Sequence, residues 1–383
     1  MKKDEKFLKI VKINNVYGRV ITNDPFIIKD LYNYFSMFVK NHWFQPKVKA
    51  GTWDGKIHLV WKNGQFPLGL YKEVLQFVKR NNLKILIDKQ LKIKTEIKDF
   101  EKITLEWLDE NWIPRVYQIE GALKAIRNRR CILEHATGSG KSLTLALIMM
   151  YFFITEEVKK TLILVPSLGL IEQMESDLIS YGVPHDWIGK FNKDIKDKKQ
   201  PIIISTWQSM AKQKKLTEQF DLLITDECHS LQGDVVRSVS ENAINADIRI
   251  GCTGSMPDFK TDKYQVTSTL GPVLHIVKAK KLIDQGFISD IKIKLYHLIY
   301  PDYIKKELKG ADYHLEKDYI ENYNPRNNII KFITHKHAEK DQNVLILATK
   351  LDHLDKIKES LENVKSIKHL FLIIIIYFYL LIT

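Results

Sequence analysis

The sequence is poor in cysteine, and its amino end carries no apolar segment. Only Cys131, Cys228 and Cys252 occur in 383 residues, far apart and each beside a β-type run. This spacing excludes a disulfide framework and a cysteine-rich zinc site, and it predicts small core residues of a reduced, intracellular protein. The first six residues, Met-Lys-Lys-Asp-Glu-Lys, lack the apolar core of a signal peptide, so we expect a cytoplasmic protein.

Acidic residues are scarce in the first hundred positions. Residues 1–100 hold 20 Lys and Arg against 9 Asp and Glu, whereas the rest of the chain is almost balanced within a net charge of +13. This excess predicts a module that binds a polyanion, in the simplest case nucleic acid. A lysine-rich solvated surface accounts for the same charge, and charge alone leaves both interpretations open.

A glycine-rich loop lies near the middle of the chain. It reads His135, Ala136, Thr137, Gly138, Ser139, Gly140, Lys141 and Ser142, between a predicted strand over 131–134 and an apolar helix over 143–153. This order predicts a nucleotide triphosphate site, because backbone amides and the amino end of a helix attract phosphate. Lys141 would reach the β/γ-phosphates, and Ser142 would hold Mg²⁺. A plain flexible turn is the alternative, since His135 replaces the usual leading glycine.

A pair of carboxylates follows a predicted buried strand over 221–225. Because the chain also carries a phosphate loop, Asp226 would hold Mg²⁺ through water and Glu227 would polarise the attacking water. His229, two residues further, would relay the nucleotide state to neighbouring motifs. A solvated turn is the alternative for an isolated Asp-Glu pair.

Two further groups flank the predicted nucleotide site. Tyr117 and Gln118 come one predicted helix, 119–128, ahead of the loop, where the Gln118 amide would meet the N6/N7 edge of adenine and Tyr117 would cover the base. Small hydroxyl residues suited to coupling two sites follow a predicted strand over 247–252. They are Thr253, Gly254 and Ser255.

Polar residues also follow two other predicted strands. Pro166 and Ser167 come after the strand 161–165, and Thr206 and Trp207 come after the strand 201–204. Ligands of open α/β sheets gather at the carboxyl ends of strands, so we expect these residues to contact a nucleic-acid backbone. Plain helix caps are the alternative interpretation.

The basic amino-terminal region is typical of a small α+β unit. We expect strands within 6–22, a helix over 26–39, a helix over 71–80, a strand over 84–87 and a charged linker over 88–106. Two lysine-bearing strands are predicted around a tight Gly-Thr-Trp-Asp-Gly turn. Lys47, Lys49 and Lys56 would contact phosphates and Trp53 would stack on a base, or Trp53 only pins the turn.

In chain order these groups resemble the successive motifs of the superfamily 2 helicases of the DExH type. Within that superfamily the sequence is most similar to phage recombination helicases, on residues 44–56 and on Leu308-Lys309-Gly310. The motifs that carry the resemblance are Tyr117-Gln118, the loop 136–142, Pro166-Ser167, 205–208, Asp226-Glu227-Cys228-His229 and Thr253-Gly254-Ser255.

The resemblance implies an α/β fold with a P-loop NTPase lobe. It implies a DNA-binding domain over 1–100, a RecA-like ATP-binding lobe over 101–288 and a partial second RecA-like lobe over 289–369. It also implies ATP and Mg²⁺ as cofactors and an ATP-driven enzyme that remodels branched DNA and R-loops, with RNA as a further partner. The expected setting is phage recombination, replication and repair in the host cytoplasm.

The carboxyl end departs from the family pattern. We expect a hinge strand over 292–299, then a helix over 326–340, a strand over 344–348 and a helix to residue 363, but none of the later family arginines. The thirteen apolar residues 370–382 fall short of the ~20 of a spanning helix, so we expect no membrane partner and interpret 370–383 as foreign to the family. We therefore expect slow ATP hydrolysis and weak or absent unwinding, because an arginine finger contributes roughly 10³–10⁵ in rate.

Two alternative functions follow from the same residues. The chain would be an ATP- and DNA-binding fragment without motor activity, or the motor subunit of a restriction complex that borrows missing parts from a partner. ATP turnover with and without branched DNA separates the first alternative from a helicase.

Overall fold

The computed structural model describes residues 7–91, 96–97, 99–290, 293–340, 342–348, 350–362 and 370–374. The described residues divide into two units, one that ends at Asp290 and one that begins after it. The first unit holds a small mixed sheet and a large parallel sheet, and the second unit holds a two-stranded parallel sheet with helices.

The amino-terminal residues build a four-stranded sheet. Its elements and those of the neighbouring hairpin are β1 (Phe7–Lys12), β2 (Tyr17–Thr22), α1 (Pro25–Tyr34), β3 (Ser36–Phe38), α2 (Pro46–Lys49), β4 (Lys56–His58), β5 (Gln65–Pro67), α3 (Tyr71–Arg80) and β6 (Lys84–Ile87). The strand order is β5-β2-β1-β6, antiparallel except for the β1–β6 pair. Alternating apolar positions such as Leu8, Ile10 and Val20 form its core. The predicted strands within 6–22 and over 84–87 are confirmed.

The predicted helix over 26–39 is too long. Helix α1 begins at Pro25 after Asp24, whose side chain accepts a hydrogen bond from the Phe26 amide at 2.9 Å, and it ends at Tyr34. Residues 36–38 form β3 instead, because their backbone pairs with β4 in antiparallel register. Helical spacing of the apolar residues did not reveal this pairing, since the partner strand lies about twenty residues further along the chain.

The predicted strand before the Gly-Thr-Trp-Asp-Gly turn is also wrong. Pro46 begins the short helix α2, and the Gln45 carbonyl accepts hydrogen bonds from the amides of Val48 and Lys49 at 3.0 Å each. A proline at the first helical position is favoured because its φ is already helical and its missing N–H is not needed there. Lys47 and Lys49 therefore lie on a helix, while Lys56 lies on a strand as predicted.

The central region forms a seven-stranded parallel sheet between helices. Its elements are α4 (Phe100–Leu105), α5 (Val116–Asn128), β7 (Arg130–His135), α6 (Lys141–Ile154), β8 (Thr161–Val165), α7 (Leu168–Ser180), β9 (Ile188–Phe191), β10 (Ile202–Thr206), α8 (Trp207–Met210), α9 (Lys214–Thr217), β11 (Leu222–Asp226), α10 (Asp234–Asn242), β12 (Ile248–Thr253), α11 (Lys260–Leu270), β13 (Val273–Val277) and α12 (Ala279–Asp284). The strand order is β13-β7-β12-β11-β8-β10-β9, with every pair parallel. This is the predicted RecA-like lobe.

Helix α6, which begins in the phosphate loop, is buried on all sides. Every residue from Leu143 to Phe152 is buried, and the helix packs with strands of the sheet in the largest hydrophobic cluster of the described residues. A helix that is apolar all round belongs in a core. The position of the phosphate loop is therefore set by a buried helix on one side and by β7, an interior strand of the sheet, on the other.

Arg249 is the largest fully buried side chain of the described residues and lies on β12. Its guanidinium donates hydrogen bonds to the carbonyls of Ser240 at 2.7 Å, Ala246 at 3.1 Å and Ala243. These carbonyls lie at and just beyond the carboxyl end of α10, where the regular helical donors run out. The Ser240 and Ala243 carbonyls also accept the amides of Ala243 at 3.3 Å and Ala246 at 3.1 Å. One buried cation thus satisfies three backbone groups.

The small sheet packs directly on the RecA-like lobe. Lys12 Nζ lies 3.0 Å from Asp247 Oδ1, the Asn15 amide donates to the Asn245 carbonyl at 2.9 Å, and Arg130 donates to the Asn15 carbonyl. The predicted linker over 88–106 is correspondingly not a plain linker. Residues 100–105 form α4, which packs against α6, whereas 92–95 and 98 lie outside the described residues.

The second unit contains two parallel strands and four helices among its described residues. They are α13 (Asp302–Glu307), α14 (Tyr313–Asn322), α15 (Asn324–Ala338), β14 (Val344–Ala348), α16 (Leu351–Glu362) and β15 (Leu370–Ile374). The predicted strand 344–348 and both predicted helices are confirmed within two residues, but no hinge strand occupies 293–299, and 291–292 are outside the described residues. The first part of the predicted foreign tail forms β15 in parallel with β14, and 375–383 lie outside the described residues.

The helices of the described residues include none that is both long and apolar enough to span a membrane.

Candidate functional site

The phosphate loop has the backbone that its glycines predict. Strand β7 ends at His135, α6 begins at Lys141, and Gly138 and Gly140 between them have φ values of +80° and +73°. A side chain at Gly140 would also bring its Cβ to 2.5 Å from Gln118 Nε2. Residues other than glycine rarely adopt such φ values, so the backbone conformation of the loop requires both glycines.

Tyr117 and Gln118 stabilise this loop through hydrogen bonds to its backbone. The Gln118 amide nitrogen donates to the carbonyls of Ser139 and Gly140 at 3.1 Å each, and the Tyr117 hydroxyl donates to the Ser139 carbonyl at 2.8 Å. The Gln118 side-chain oxygen accepts a hydrogen bond from the Arg115 amide at 2.7 Å. In this arrangement both side chains support the loop backbone, and their contact with adenine stays a prediction.

The acidic pair meets the loop lysine across the sheet edge. Asp226 ends β11 and Glu227 follows with φ of +46°, so the chain turns sharply at this point. Lys141 Nζ lies 3.1 Å from Glu227 Oε1, and His229 Nδ1 lies 3.3 Å from Glu227 Oε2. The strands β7 and β11 are separated only by β12, so residues far apart in sequence meet at one edge of the sheet.

The residues predicted to couple two sites lie in the same cluster. Thr253 Oγ1 is 2.9 Å from His229 Nδ1, and it lies within hydrogen-bond distance of Glu227 Oε2 at 3.3 Å and of the Ser255 carbonyl at 3.1 Å. A Cβ at Gly254 would lie 3.3 Å from Thr137 Oγ1 in the phosphate loop. The end of β12 therefore contacts both the phosphate loop and the acidic segment.

The two carboxylates have opposite electrostatic surroundings. The hydrogen bond from His229 and the positive charge of Lys141 lower the pKa of Glu227 to about 2, although burial opposes them. Burial and the adjacent Glu227 charge raise the pKa of Asp226 from its usual value. Glu227 is thus held as a carboxylate at neutral pH, which is the form that can accept a proton.

The oxygen atoms near the loop suit a magnesium–nucleotide complex. Ser142 and Asp226 supply a hydroxyl and a carboxylate, which are oxygen ligands of the kind Mg²⁺ takes while keeping several waters. The Ser139 hydroxyl is buried without a hydrogen-bond partner among the described residues. Ser142 Oγ lies 2.8 Å from the hydroxyl of the buried Tyr181. Tyr181 was missed from the sequence because no local motif marks a contact across thirty-nine residues.

A second missed feature lies under the loop. His135 Nε2 is 2.9 Å from His275 Nδ1, and His275 Nε2 is 3.5 Å from Glu120 Oε2. His135 is fully buried, and its Nδ1 has no partner in the part of the chain that the structure describes. Burial, with the charges of His275 and Lys141, lowers the pKa of His135 to about 3. The only sequence signal was the histidine in place of the usual leading glycine.

We expect His135 to make stability fall as the pH is lowered below 6.5. The unfolded chain binds a proton near pH 6.5, whereas the folded chain keeps His135 neutral until its lowered pKa of about 3, so acid favours unfolding. At pH 5 this group alone costs about 2 kcal/mol. Urea unfolding measures the loss of unfolding free energy between pH 7 and pH 5, and this loss should be about 2 kcal/mol smaller in His135→Gln than in the unmodified chain. The exposed His185→Gln is the control and should show the same loss as the unmodified chain. The prediction is contradicted if His135→Gln and His185→Gln lose the same free energy.

The expected nucleic-acid residues of the lobe separate into two kinds. Thr206 is buried and its hydroxyl accepts a hydrogen bond from the Ser209 amide at 3.3 Å, so it caps α8 as the alternative interpretation predicted. Trp207 packs against two hydrophobic clusters of the lobe. Ser167 is exposed at the start of α7 and its side chain makes no capping hydrogen bond, and Pro166 beside it is half-buried.

The residues of the amino-terminal region that were predicted to contact nucleic acid also differ in their exposure and contacts. Lys47 and Lys49 are exposed on α2, and Lys56 Nζ lies 4.6 Å from the centre of the Phe38 ring. The indole nitrogen of Trp53 donates to the Lys56 carbonyl at 2.9 Å. Trp53 is half-buried, so it pins this turn, and its stacking on a base stays a prediction.

Both the amino-terminal region and the parallel-sheet lobe of the first unit match known protein families. The family described as "DNA helicase UvsW, N-terminal" matches residues 11–88, and the family described as "Type III restriction enzyme, res subunit" matches residues 109–258. The ATP-dependent DNA helicase uvsW of Enterobacteria phage T4 is 32% identical over 351 residues, which are 87% of this chain and 69% of the relative.

Two crystal structures of T4 UvsW resemble the fold. One matches with a TM-score of 0.66 and 26% identity over 96% of this chain and 80% of that chain. The other matches with a TM-score of 0.64 and 28% identity over 70% of this chain and 99% of that chain. The chain belongs to the UvsW-type ATP-dependent helicases of superfamily 2.

Proposed function

We propose that this helicase couples ATP hydrolysis to the remodelling of branched DNA and R-loops in phage recombination, replication and repair. The contact of Lys141 and Thr253 with one carboxylate, Glu227, carries the proposal. This contact joins the phosphate loop, the acidic segment and the end of β12, which are the parts that a nucleotide-driven motor must link. T4 UvsW, a DNA helicase that is 32% identical over most of this chain, supports DNA as the substrate.

The cleft residues have distinct tasks in this proposal. Mg²⁺ would supply charge that stabilises the transferred phosphoryl group. Ser142 and Asp226 would hold the ion, Lys141 would bind the β/γ-phosphates, and Glu227 would orient and deprotonate the attacking water. Lys141 must leave Glu227 when phosphate enters, because the two side chains neutralise each other in the present arrangement. The release frees Glu227 to act as a base.

We assign DNA binding to residues 1–100 and to the sheet edge that carries Ser167. Residues 101–288 would bind ATP, and 289–369 would form part of a second lobe that closes on DNA. The basic excess of the amino-terminal region supports the first assignment, because Lys and Arg supply most of the charge that neutralises DNA phosphates. RNA would be a further partner, as in an R-loop.

The test of the proposal is ATP turnover with and without DNA. We expect the chain to hydrolyse ATP faster in the presence of a four-way or fork-shaped DNA than with blunt duplex of equal length, and Lys141→Ala to abolish the stimulation. Binding of ATP and DNA without stimulated turnover would contradict the motor function and support the fragment interpretation.

Neutralising the basic residues should lower the salt dependence of DNA binding. Lys47, Lys49 and Lys56 each release about 0.9 of a counterion per phosphate contacted, so the triple glutamine variant should lose up to ~2.7 from the slope of log K against log salt. Fluorescence anisotropy with a duplex at several salt concentrations measures this slope. The exposed Lys280→Gln on helix α12 is the matched control, and an unchanged slope in the triple variant removes Lys47, Lys49 and Lys56 from the interface.

A further inference from the structure

Strands β3 and β4 carry an arm formed by residues 39–55. The base of the arm is closed by antiparallel pairing of the two strands, and the Val39 amide donates to the Gly55 carbonyl at 2.9 Å. The base is also attached to the RecA-like lobe, because the Thr261 hydroxyl on α11 donates to the Phe38 carbonyl at 2.6 Å. The arm therefore projects from a fixed point of the first unit.

A continuous row of aromatic rings lies at this arm. The Phe38 and His42 rings stack with their centres 4.3 Å apart, His42 contacts Trp43 at 4.9 Å, and Trp43 contacts Phe44 at 5.8 Å. Phe38 is 47% exposed, Trp43 55% and Phe44 65%. Single exposed apolar residues are ordinary, but adjoining exposed rings mark a binding surface.

The backbone of the arm turns sharply at two positions beside the rings. Asn41, immediately before His42, has φ of +56°, and Gly55 has φ of +75°. A Cβ at Gly55 would lie 2.8 Å from the His42 ring. Trp53, by contrast, turns inward and bonds to the Lys56 carbonyl. One tryptophan thus stabilises the arm while Trp43 faces solvent.

The charge around the rings selects the partner. The segment 36–58 contains Lys40, Lys47, Lys49 and Lys56 and only one acidic residue, Asp54. Asp54 is engaged, since its Oδ2 lies 3.3 Å from His58 Nε2 and its Oδ1 accepts the Lys56 amide at 3.0 Å. Exposed rings bordered by lysines match a ligand with flat apolar faces on an anionic backbone, which is unpaired nucleic acid.

We propose that Trp43 and Phe44 stack on unpaired bases of DNA while Lys47 and Lys49 contact its phosphates. The proposal rests on the proposed function, because branched DNA offers unpaired bases beside duplex whereas blunt duplex does not. The two rings then add affinity for the opened strand, and the lysines bind phosphates whether or not the bases are paired. Neither aromatic residue belongs to the nucleotide site.

The test compares two DNA forms with the full chain. Anisotropy is measured with a labelled oligo-dT and with a blunt duplex at one salt concentration, and the single strand also carries 2-aminopurine as a stacking probe. Trp43→Ala/Phe44→Ala should weaken single-strand binding by about 5–150-fold for each stacked base and remove the 2-aminopurine quench. Duplex affinity and ATP binding should change less than twofold. Trp43→Phe/Phe44→Tyr should retain the single-strand affinity.

Two controls separate base stacking from unfolding and from self-association. Phe26→Ala removes a ring that is 71% exposed on α1 and should change neither affinity, and urea unfolding checks that each variant folds. The inference is overturned if the alanine variant binds single-stranded DNA as tightly as the unmodified chain does. In that case, duplex binding by the unmodified chain still supports the proposed function. Absence of all DNA binding by the unmodified chain overturns both. Loss of self-association in the alanine variant without any change in DNA binding assigns the rings to a second copy and overturns the inference.

Discussion

Replacing Glu227 with glutamine should lower ATP turnover by about 10²–10⁴-fold, the range that removal of a general base produces. Glutamine has nearly the same size but cannot accept the proton of the attacking water. The structure holds Glu227 ionised, since His229 and Lys141 lower its pKa to about 2. The affinity for nucleotide should change by no more than a few fold, because the phosphate loop is unchanged even though Lys141 loses its ion-pair partner.

Single-turnover hydrolysis and the affinity for a fluorescent ATP analogue measure these two quantities separately. The exposed Glu110→Gln is the matched control and should leave both unchanged. Asp226→Asn provides a contrast, since it should weaken magnesium-dependent nucleotide binding as well as turnover. A Glu227→Gln variant that hydrolyses ATP within threefold of the unmodified chain excludes Glu227 as the base.

Replacing Arg249 with leucine should lower the free energy of unfolding by about 3–5 kcal/mol. The change removes one donor from each of three buried carbonyls. Ser240 and Ala243 keep the amides of Ala243 at 3.3 Å and Ala246 at 3.1 Å, but the Ala246 carbonyl loses its guanidinium partner, and an unsatisfied buried group costs roughly 1–3 kcal/mol. The shorter side chain also leaves space where the guanidinium packs, which adds a cavity cost of its own. The end of α10 should therefore loosen together with β12, on which Arg249 lies.

Urea unfolding monitored by circular dichroism tests this expectation. Arg127→Leu is the matched control, because Arg127 is exposed in the last turn of α5 and surface changes usually stay within about 0.5 kcal/mol. A loss below about 1 kcal/mol for Arg249→Leu would show that water or a shifted helix end replaces the lost donors. Because β12 ends at Thr253, ATP turnover of the folded variant reports whether this damage reaches the nucleotide site.

The backbone of the phosphate loop and its contact with the acidic pair were largely predictable because the motifs are local. Gly138 and Gly140 determine the loop backbone by themselves, and the strand and helix beside them follow from continuous apolar runs. The joining of Lys141 with Glu227 also follows from topology, since parallel strands present their carboxyl ends at one edge. The role of Gln118 was harder to predict, because its amide donates hydrogen bonds to loop carbonyls and the sequence spacing does not indicate this contact.

The amino-terminal region was predicted less well. Charge counting located the basic region, but a strand was predicted where Pro46 starts a helix, and the sequence did not show that Trp53 is half-buried while Trp43 is exposed. Burial of a tryptophan depends on where the chain folds back, and that depends on the pairing of β3 with β4. Short strands of three residues carry too little pattern to reveal such a pairing in advance.

The amino-acid sequence by itself determined the class of lobe, the phosphate loop and the acidic pair, because glycine conformations, apolar runs and charge act over a few neighbouring residues. Tertiary structure alone decided which distant groups meet. It brought His275 under His135, Tyr181 against Ser142 and three carbonyls around Arg249. These contacts join residues on different elements, and their distances depend on how sheet and helices pack, which no local pattern encodes.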